Sequence, residues 1–207
     1  MSLRWLLAPL VALYALTAGP PEYRAQARMV NRVSQSVVRI TGSYSNDKPE
    51  GYTCSGTVVH KNMVLTAAHC LMHPMEVDDT PIRGLERVDI FFDLALLNVW
   101  TPKPALTLRV EPVEMFEPLT AIGYAYGWKK LSALQQMPYL LNYTPDLGPE
   151  LESAPGIFVQ GGFVGGMSGG PVVDRSGQMV MIIQRAGEGS GYGVSADTIR
   201  TFLQGAW

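Results

Sequence analysis

A serine set among glycines constrains this chain more than any other stretch: residues Gly165 to Pro171 read Gly-Gly-Met-Ser-Gly-Gly-Pro. Four glycines around one hydroxyl leave the backbone bare enough for another molecule's main chain to approach it. The N–H groups of Gly166 and Ser168 can then converge on one point, where they would stabilise the oxyanion formed when a hydroxyl attacks a carbonyl. A flexible Gly/Ser loop is the simpler interpretation. Because a serine hydroxyl is a weak nucleophile by itself, a functional loop also requires a base and a group that orients the base.

Composition places the chain among ordinary globular proteins. It has 207 residues, 47% of them hydrophobic, and a net charge of -2, so it has ample material for a core. Its positive charges are scattered, and the nearest approach to a basic patch, Lys129-Lys130, is typical of a solvated turn. We therefore expect no nucleic-acid partner.

The N-terminal residues 1–27 have the pattern of a targeting segment. One positive charge in Met1–Arg4 precedes an apolar run, Trp5–Thr17, which at about 13 residues is shorter than the roughly 20 that a membrane span needs. Cleavage is expected after Ala18, or after Ala27 in an Ala-x-Ala pattern. The segment predicts export, to the periplasm or the medium. The alternative is an uncleaved signal anchor, which would be the protein's only attachment to a membrane.

From Ser36 onward, the chain indicates short β-strands separated by turns. Ser36–Thr41 is rich in β-branched residues, and Thr57–His60 and Met63–Thr66 flank a Lys61-Asn62 turn as in a hairpin. Helical spacing is sustained only at the end, over Ser195–Gln204, where a short amphipathic helix is expected. These patterns predict an all-β sandwich or barrel.

The two cysteines, Cys54 and Cys70, lie at the far ends of the two hairpin strands. In an exported chain such a pair is expected to form a disulfide, which would stabilise the fold by roughly 3 kcal/mol on the chain-entropy model. The three histidines, His60, His69 and His73, are close in sequence, but their spacing does not match a Cys/His zinc site. We therefore expect no bound metal.

Three segments resemble those of the chymotrypsin-like serine proteases. Thr66–Cys70 resembles the family's histidine segment, with its disulfide, Asp93–Leu97 the aspartate segment, and Gly166–Pro171 the nucleophile segment. The order His, Asp, Ser is the one that this fold uses and differs from the orders of subtilisins and α/β-hydrolases. The resemblance covers the chain from about Ser36 to its C-terminus.

Two subfamilies are similar to this chain. Leu119–Gly127 and Ile157–Gln160 look like strands of bacterial HtrA-type proteases, whereas the loop Gly165–Gly169 is shared with glutamyl endopeptidases. These residues do not distinguish between the two subfamilies. We expect no PDZ domain, since the sequence stops at Trp207 after one protease domain. Met167 replaces the aspartate that pairs with a new N-terminus in trypsin-like zymogens, so activation is not expected to use that switch.

The resemblance implies a Ser-His-Asp mechanism without a cofactor. His69 would act as the base, Asp93 would orient it, and Ser168 would attack a peptide carbonyl of a protein or peptide substrate, with Gly166 and Ser168 as oxyanion donors. Competing residues in the sequence are the aspartates Asp78, Asp79 and Asp89 and the serines Ser55 and Ser176. Two other interpretations stay open: an inactive relative that binds a partner in its cleft, and a self-processing protease with one dedicated substrate.

The implied fold has two antiparallel six-stranded β-barrels, residues 28–112 and 113–207, with the site in the cleft between them. By resemblance, the substrate pocket would be lined by Gly162, Phe163, Ile183, Ala186 and Gly193. None of these residues is charged, and Phe163 would narrow the pocket, so small or medium aliphatic side chains are expected before the cut bond. The rival is an acidic preference served by Arg185.

Overall fold

The computed structural model describes residues 20–42, 52–71, 74–143, 156–187 and 189–206. The described chain begins with a helix, continues as strands and ends with a second helix. The elements are α1 (Pro21–Ser34), β1 (Val37–Gly42), β2 (Tyr52–His60), β3 (Met63–Ala67), β4 (Met75–Val77), β5 (Thr80–Pro81), β6 (Gly84–Asp89), β7 (Leu94–Asn98), β8 (Leu119–Gly123), β9 (Ser132–Tyr143), β10 (Gly156–Gln160), β11 (Pro171–Val173), β12 (Met179–Gly187), β13 (Ser190–Ser195) and α2 (Ala196–Leu203).

Strands β1 to β7 form one antiparallel sheet in the order β5-β4-β1-β2-β3-β7-β6. The predicted hairpin is confirmed: β2 and β3 pair Thr57 with Leu65 and His60 with Met63, and Asn62 takes the positive φ of 61° that its turn needs. The sheet has seven strands in the described residues, where six were expected, because the two-residue strand β5 adds to β4.

Strands β8 to β13 form a closed barrel in the order β10-β13-β12-β11-β8-β9, as the predicted second barrel requires. The predicted C-terminal helix is α2, and Ser195 caps it by accepting a hydrogen bond from the N–H of Thr198 at 3.4 Å. The link between the sheets, residues 99–118, contains the predicted domain boundary and crosses onto the barrel at a bridge between Leu108 and Met179.

Three apolar clusters hold this architecture together. One belongs to the first sheet and includes Val58, Val64 and Leu97. Another belongs to the barrel and includes Ile157 and Met181. The third joins the two sheets and combines the following side chains from β3, β7, β8 and β12 with both helices: Leu65, Leu94, Leu96, Ile122, Ile182, Met29, Val33, Ile199, Phe202 and Leu203. The two sheets are therefore packed against each other through a shared apolar core.

Helix α1 lies before Ser36, where the predicted strands begin, and the sequence analysis did not predict it. Met29 and Val33, one helical turn apart, are buried in the cluster between the sheets. The 27/28 boundary expected for the targeting segment lies inside this helix, and the apolar run Trp5–Thr17 lies outside the described residues. Neither α1 nor α2 is long and apolar enough to cross a membrane, and the described chain contains no other candidate.

Candidate active site

His69 lies in a single 3-10 turn, Ala68–Cys70, directly after β3. The turn is fixed on one side by the Cys54–Cys70 disulfide, whose Cα atoms are 6.1 Å apart. On the other side, the N–H of Ala68 donates to the carbonyl of Asp93 at 3.0 Å. The imidazole is therefore presented from a segment that is held both covalently and by the neighbouring hairpin.

Asp93 ends the turn between β6 and β7 and has a φ of 50°, which aspartate tolerates better than most residues. Its Oδ2 lies 2.7 Å from Nδ1 of His69, and its Oδ1 accepts the backbone N–H of His69 at 2.8 Å. Both carboxylate oxygens thus hold the same histidine. The structure brings together the first two residues that the sequence predicted as a catalytic pair.

The competing aspartates have other structural roles. Asp78 accepts the N–H of Arg39 and pairs with Lys103 at 2.8 Å. Asp89 accepts the N–H of Phe92 at 3.0 Å and so shapes the turn that leads to Asp93. Asp79, at 81% side-chain exposure, pairs with Arg39 on the surface.

Ser168 lies in the loop between β10 and β11, on the barrel side of the cleft. Its carbonyl oxygen is 3.8 Å from the disulfide sulfur of Cys70, the residue after His69. Its hydroxyl lies 3.3 Å from the carbonyl of Gln184. This contact places the nucleophile loop beside the histidine segment. The competing serine Ser176 belongs to a turn around Asp174.

The glycines of this loop are required where the two sheets approach each other. Gly169 has a φ of +82°, and a Cβ there would overlap Thr66 Oγ1 and the carbonyl oxygen of Ser55. Gly166 has a φ of +91°, and a Cβ there would overlap the carbonyl oxygen of Tyr124. Within the described part of the chain, the N–H groups of Gly166 and Ser168 donate to no acceptor.

Gln184 is a site residue that the sequence analysis missed. Its side chain is buried, and its amide nitrogen donates to the carbonyls of Phe92 and, at 3.2 Å, Asp93. The register between β12 and β13 shifts between Ile183 and Arg185, which makes Gln184 the extra residue of a β-bulge. The sequence feature that could have indicated Gln184 is its amide side chain, which directly follows the apolar residues Met179–Ile183 of β12.

The bulge lies next to Ile183, one of the residues predicted to line the substrate pocket. Gly162, Phe163, Ile183 and Gly193 are buried, and Ala186 is exposed. The register pairs Ala186 with Gly191 and Ile183 with Gly193.

The ring of Phe163 covers Gly191, because a Cβ at that glycine would overlap the ring. A Cβ at Gly193 would instead overlap the backbone of Ile182. Gly191 is therefore the glycine beneath Phe163, and the sequence analysis did not name it. Arg185, between these pairs, is exposed.

A cluster of possible metal ligands and two tyrosines also lie near the site. One ring nitrogen of His69 and the sulfurs of Cys54 and Cys70 lie within 4.8 Å of one another, but disulfide sulfurs are not the thiolates that bind metal ions. Burial raises the pKa of Tyr192, on strand β13, to about 12. Burial also raises the pKa of Tyr124, beside the nucleophile loop.

Solved protease structures have this architecture. The Rv3671c protease from M. tuberculosis, in its active form, is 22% identical over 90% of this chain and 87% of its own, with a TM-score of 0.78. The HtrA-type protease AlgW, solved with a decapeptide, is 20% identical over 87% of this chain and 67% of AlgW, with a TM-score of 0.72. Deg5 is 17% identical over 89% of this chain and 94% of its own, with a TM-score of 0.73. These likenesses show the chymotrypsin-like fold.

The sequence comparison is more specific than the structural one. None of the curated proteins matches the chain significantly. The family model of the trypsin-like peptidase domain matches residues 54–182, a segment that contains both cysteines, His69, Asp93 and Ser168. Because this match spans more than half of the chain, the protein belongs to the trypsin-like peptidase family.

Proposed function

We propose that this peptidase is a serine endopeptidase that uses Ser168, His69 and Asp93 as a catalytic triad. The observation that carries the proposal is the grip of Asp93 on His69 through both carboxylate oxygens, at 2.7 and 2.8 Å. A hydrogen bond from Nδ1–H to Asp93 leaves the lone pair on Nε2, which is the tautomer that a general base needs.

The reaction then follows from the positions of these groups. The Ser168 hydroxyl, which lies near the Gln184 carbonyl in the structure, gives its proton to Nε2 of His69 as Oγ attacks the substrate carbonyl. His69 passes this proton to the leaving amine, and the acyl chain stays on Ser168. A water molecule, deprotonated by His69, then releases the acyl chain as a carboxylic acid and restores the serine.

The oxyanion of each tetrahedral intermediate is assigned to the N–H groups of Gly166 and Ser168. These groups donate to no acceptor in the described residues. They lie in a loop whose positive φ angles and close contacts require glycine at Gly166 and Gly169. Donors that are already fixed where charge develops stabilise the transition state without reorganising.

The substrates are proteins or peptides, as the AlgW structure with a decapeptide supports for this fold. The buried Phe163 ring and the absence of charge among the buried pocket residues favour small or medium aliphatic side chains before the cut bond. An unpaired arginine or lysine side chain in such a pocket would be strongly unfavourable.

The proposed compartment is the periplasm or the medium. The Cys54–Cys70 disulfide is compatible with export, since such bridges persist in oxidising surroundings. Processing after Ala18 would keep α1 whole, whereas processing after Ala27 would remove its first half. N-terminal sequencing of the mature protein distinguishes these cuts, and a cytoplasmic protein with two free thiols would contradict export.

The test of the catalytic proposal is digestion of casein by the wild-type protein and by two serine variants. Ser168→Ala should abolish cleavage and labelling by a fluorophosphonate probe, because the nucleophile is gone. Ser176→Ala is the matched control, since this hydroxyl bonds Asp174 in a surface turn. Equal cleavage by the wild type and Ser168→Ala would overturn the mechanism, and no cleavage by either would favour a binding module.

A further inference from the structure

Ser55, on strand β2 of the first sheet, lies against the nucleophile loop of the second barrel. Its side chain is fully buried, at 0% exposure, so it is not an accessible nucleophile. It follows Cys54 directly, and every polar atom of the residue has a partner. Ser55 therefore acts through the groups that it holds in place, because its buried hydroxyl cannot reach a substrate.

Two hydrogen bonds from Ser55 reach the nucleophile loop. The hydroxyl donates to the carbonyl of Gly166 at 2.8 Å, and the backbone N–H donates to the carbonyl of Ser168 at 2.8 Å. The hydroxyl oxygen also accepts the N–H of Tyr124 at 2.8 Å. The carbonyl of Ser55 accepts the Thr66 hydroxyl, also at 2.8 Å, which fixes β2 against β3.

These bonds complete a regular arrangement along the loop. Four consecutive carbonyls, from Gly165 to Ser168, each accept one hydrogen bond. The donors, in chain order, are the N–H of Tyr126, the Ser55 hydroxyl, the N–H of Gly170 and the N–H of Ser55. Ser55 therefore holds every second peptide group of the segment.

The alternate peptide groups carry the proposed oxyanion donors. A peptide is planar, with its N–H opposite its carbonyl, so a held carbonyl fixes the direction of the N–H in the same group. The Gly166 N–H belongs to the peptide whose carbonyl Tyr126 holds, and the Ser55 hydroxyl holds the next peptide. Without that hydroxyl, the peptide that follows Gly166 loses its side-chain donor, and glycine has no Cβ to restrict the torsions that join this peptide to the one carrying the Gly166 N–H.

We infer that Ser55 is a positioning residue that keeps the Gly166 and Ser168 N–H groups directed at the oxyanion. This inference rests on the proposed triad mechanism and assigns it a further residue, supplied by the sheet that also carries His69. The first sheet thus aligns the donors of the second barrel through one side chain.

The consequence is a selective loss of transition-state stabilisation. Ser55→Ala leaves the Gly166 carbonyl and the Tyr124 N–H without their partner while keeping the backbone bond to Ser168. We expect kcat to fall about 10- to 100-fold and KM to stay within about threefold, because the oxyanion forms only after binding. Ser55→Gly removes the same hydroxyl with less side chain and should give the same result if the alanine variant folds poorly.

The matched control is Thr57→Val, on the same strand and equally buried. The Thr57 hydroxyl is 3.4 Å from the carbonyl of Gly169, after the four held carbonyls, so its loss should leave kcat near the wild-type value. Each variant is assayed on a fluorogenic peptide copied from the main casein cleavage site, together with Ser168→Ala.

A second readout separates positioning from general loosening. A peptide aldehyde forms a tetrahedral adduct with an oxyanion, whereas the matching carboxamide binds without one. In Ser55→Ala, the affinity for the aldehyde should fall by the same factor as kcat, and the affinity for the carboxamide should not change.

The outcomes are distinguishable. If the wild type and Ser168→Ala have equal activity, the proposed function fails. If the wild type is active through Ser168 and Ser55→Ala matches Thr57→Val, only the inference about Ser55 is overturned. Equal weakening of aldehyde and carboxamide binding would also overturn it, since that pattern indicates a structural role alone.

Discussion

The two sheets hold their parts of the site in different ways. The first sheet places His69 and Asp93 through side-chain bonds and a disulfide, at the adjacent ends of the paired strands β3 and β7. The second barrel is closed and places Ser168 in a glycine loop that is held through its carbonyls. In the first sheet the identity of side chains decides the geometry, whereas in the second it is decided by the absence of side chains. Substitutions in the first sheet and in the second barrel should therefore impair catalysis in different ways.

The largest expected effect comes from the acid–base side. His69→Ala should reduce turnover about 10⁶-fold, and Asp93→Asn roughly 10⁴-fold, because the amide stabilises the wrong imidazole tautomer. The measurement is kcat/KM on the casein-derived peptide, together with the rate at which a fluorophosphonate labels Ser168.

Double variants sharpen this test. If the three residues act as one unit, adding Asp93→Asn to His69→Ala should cost little more than His69→Ala alone. Wild-type labelling in His69→Ala would show that Ser168 does not depend on this base. Asp79→Asn is the control on the same sheet, since this carboxylate is on the surface.

A smaller effect is expected from the disulfide, which stabilises the first sheet alone. Replacing Cys54 and Cys70 together by alanine should lower the free energy of unfolding by about 3 kcal/mol. Chemical denaturation measures this difference, with the intact mass confirming the bridge in the wild type. A loss within experimental error would show that the hydrogen bonds around His69 hold the turn without the bridge.

Alkaline pH should weaken the second barrel through Tyr192. Its pKa of about 12 in the fold is above the ordinary value of 10.0, so folding favours the neutral phenol. The stabilisation is fully present below pH 10 and is lost as pH rises through 12. At about 1.4 kcal/mol per pKa unit, the loss reaches roughly 2 to 3 kcal/mol.

The control for this titration is Tyr192→Phe, which should show a flatter stability curve between pH 10 and 12. Some slope should remain, since the pKa of Tyr124 is also raised. Tyr126→Phe, at an exposed ring, should follow the wild type. Identical curves for the wild type and Tyr192→Phe would contradict the assigned cause.

The sequence predicted the parts of the molecule that depend on neighbours along the chain. The hairpin at Lys61-Asn62 and the terminal helix are local patterns, and the strand Ile157–Gln160 was expected from the resemblance. The structure confirms all three. The proposed triad lies within short motifs, so its residues could be named from spacing and resemblance. The contacts of Ser55 and Gln184 join segments far apart in sequence, which local patterns do not encode.

Two features that were not predicted from the sequence, helix α1 and the position of Gly191, have specific physical causes. Met29 and Val33 already have helical spacing in the sequence, but their helix begins inside residues 1–27, which we interpreted as a targeting segment. The position of Gly191 beneath Phe163 was not predicted, because a bulge at Gln184 shifts the register of β12 against β13. A shift of this kind reassigns which glycine lies beneath Phe163, and strand patterns alone do not reveal it.

The smallest expected effect concerns substrate specificity. Here we expect Phe163 of the barrel to limit the size of the side chain before the cut bond. Phe163 is buried over Gly191, so Phe163→Val should deepen the pocket and improve cleavage after Phe or Leu relative to Val. Because one or two methylene groups change binding by about 1–3 kcal/mol, the ratio of kcat/KM values should shift about 10- to 100-fold. A ratio of two substrates is insensitive to partial unfolding, which scales both rates equally. Phe202→Val, in the cluster between the sheets, has similar burial and should leave the ratio unchanged. Dominant wild-type cleavage after Glu would instead place Arg185 at the pocket and show that Phe163 does not line it.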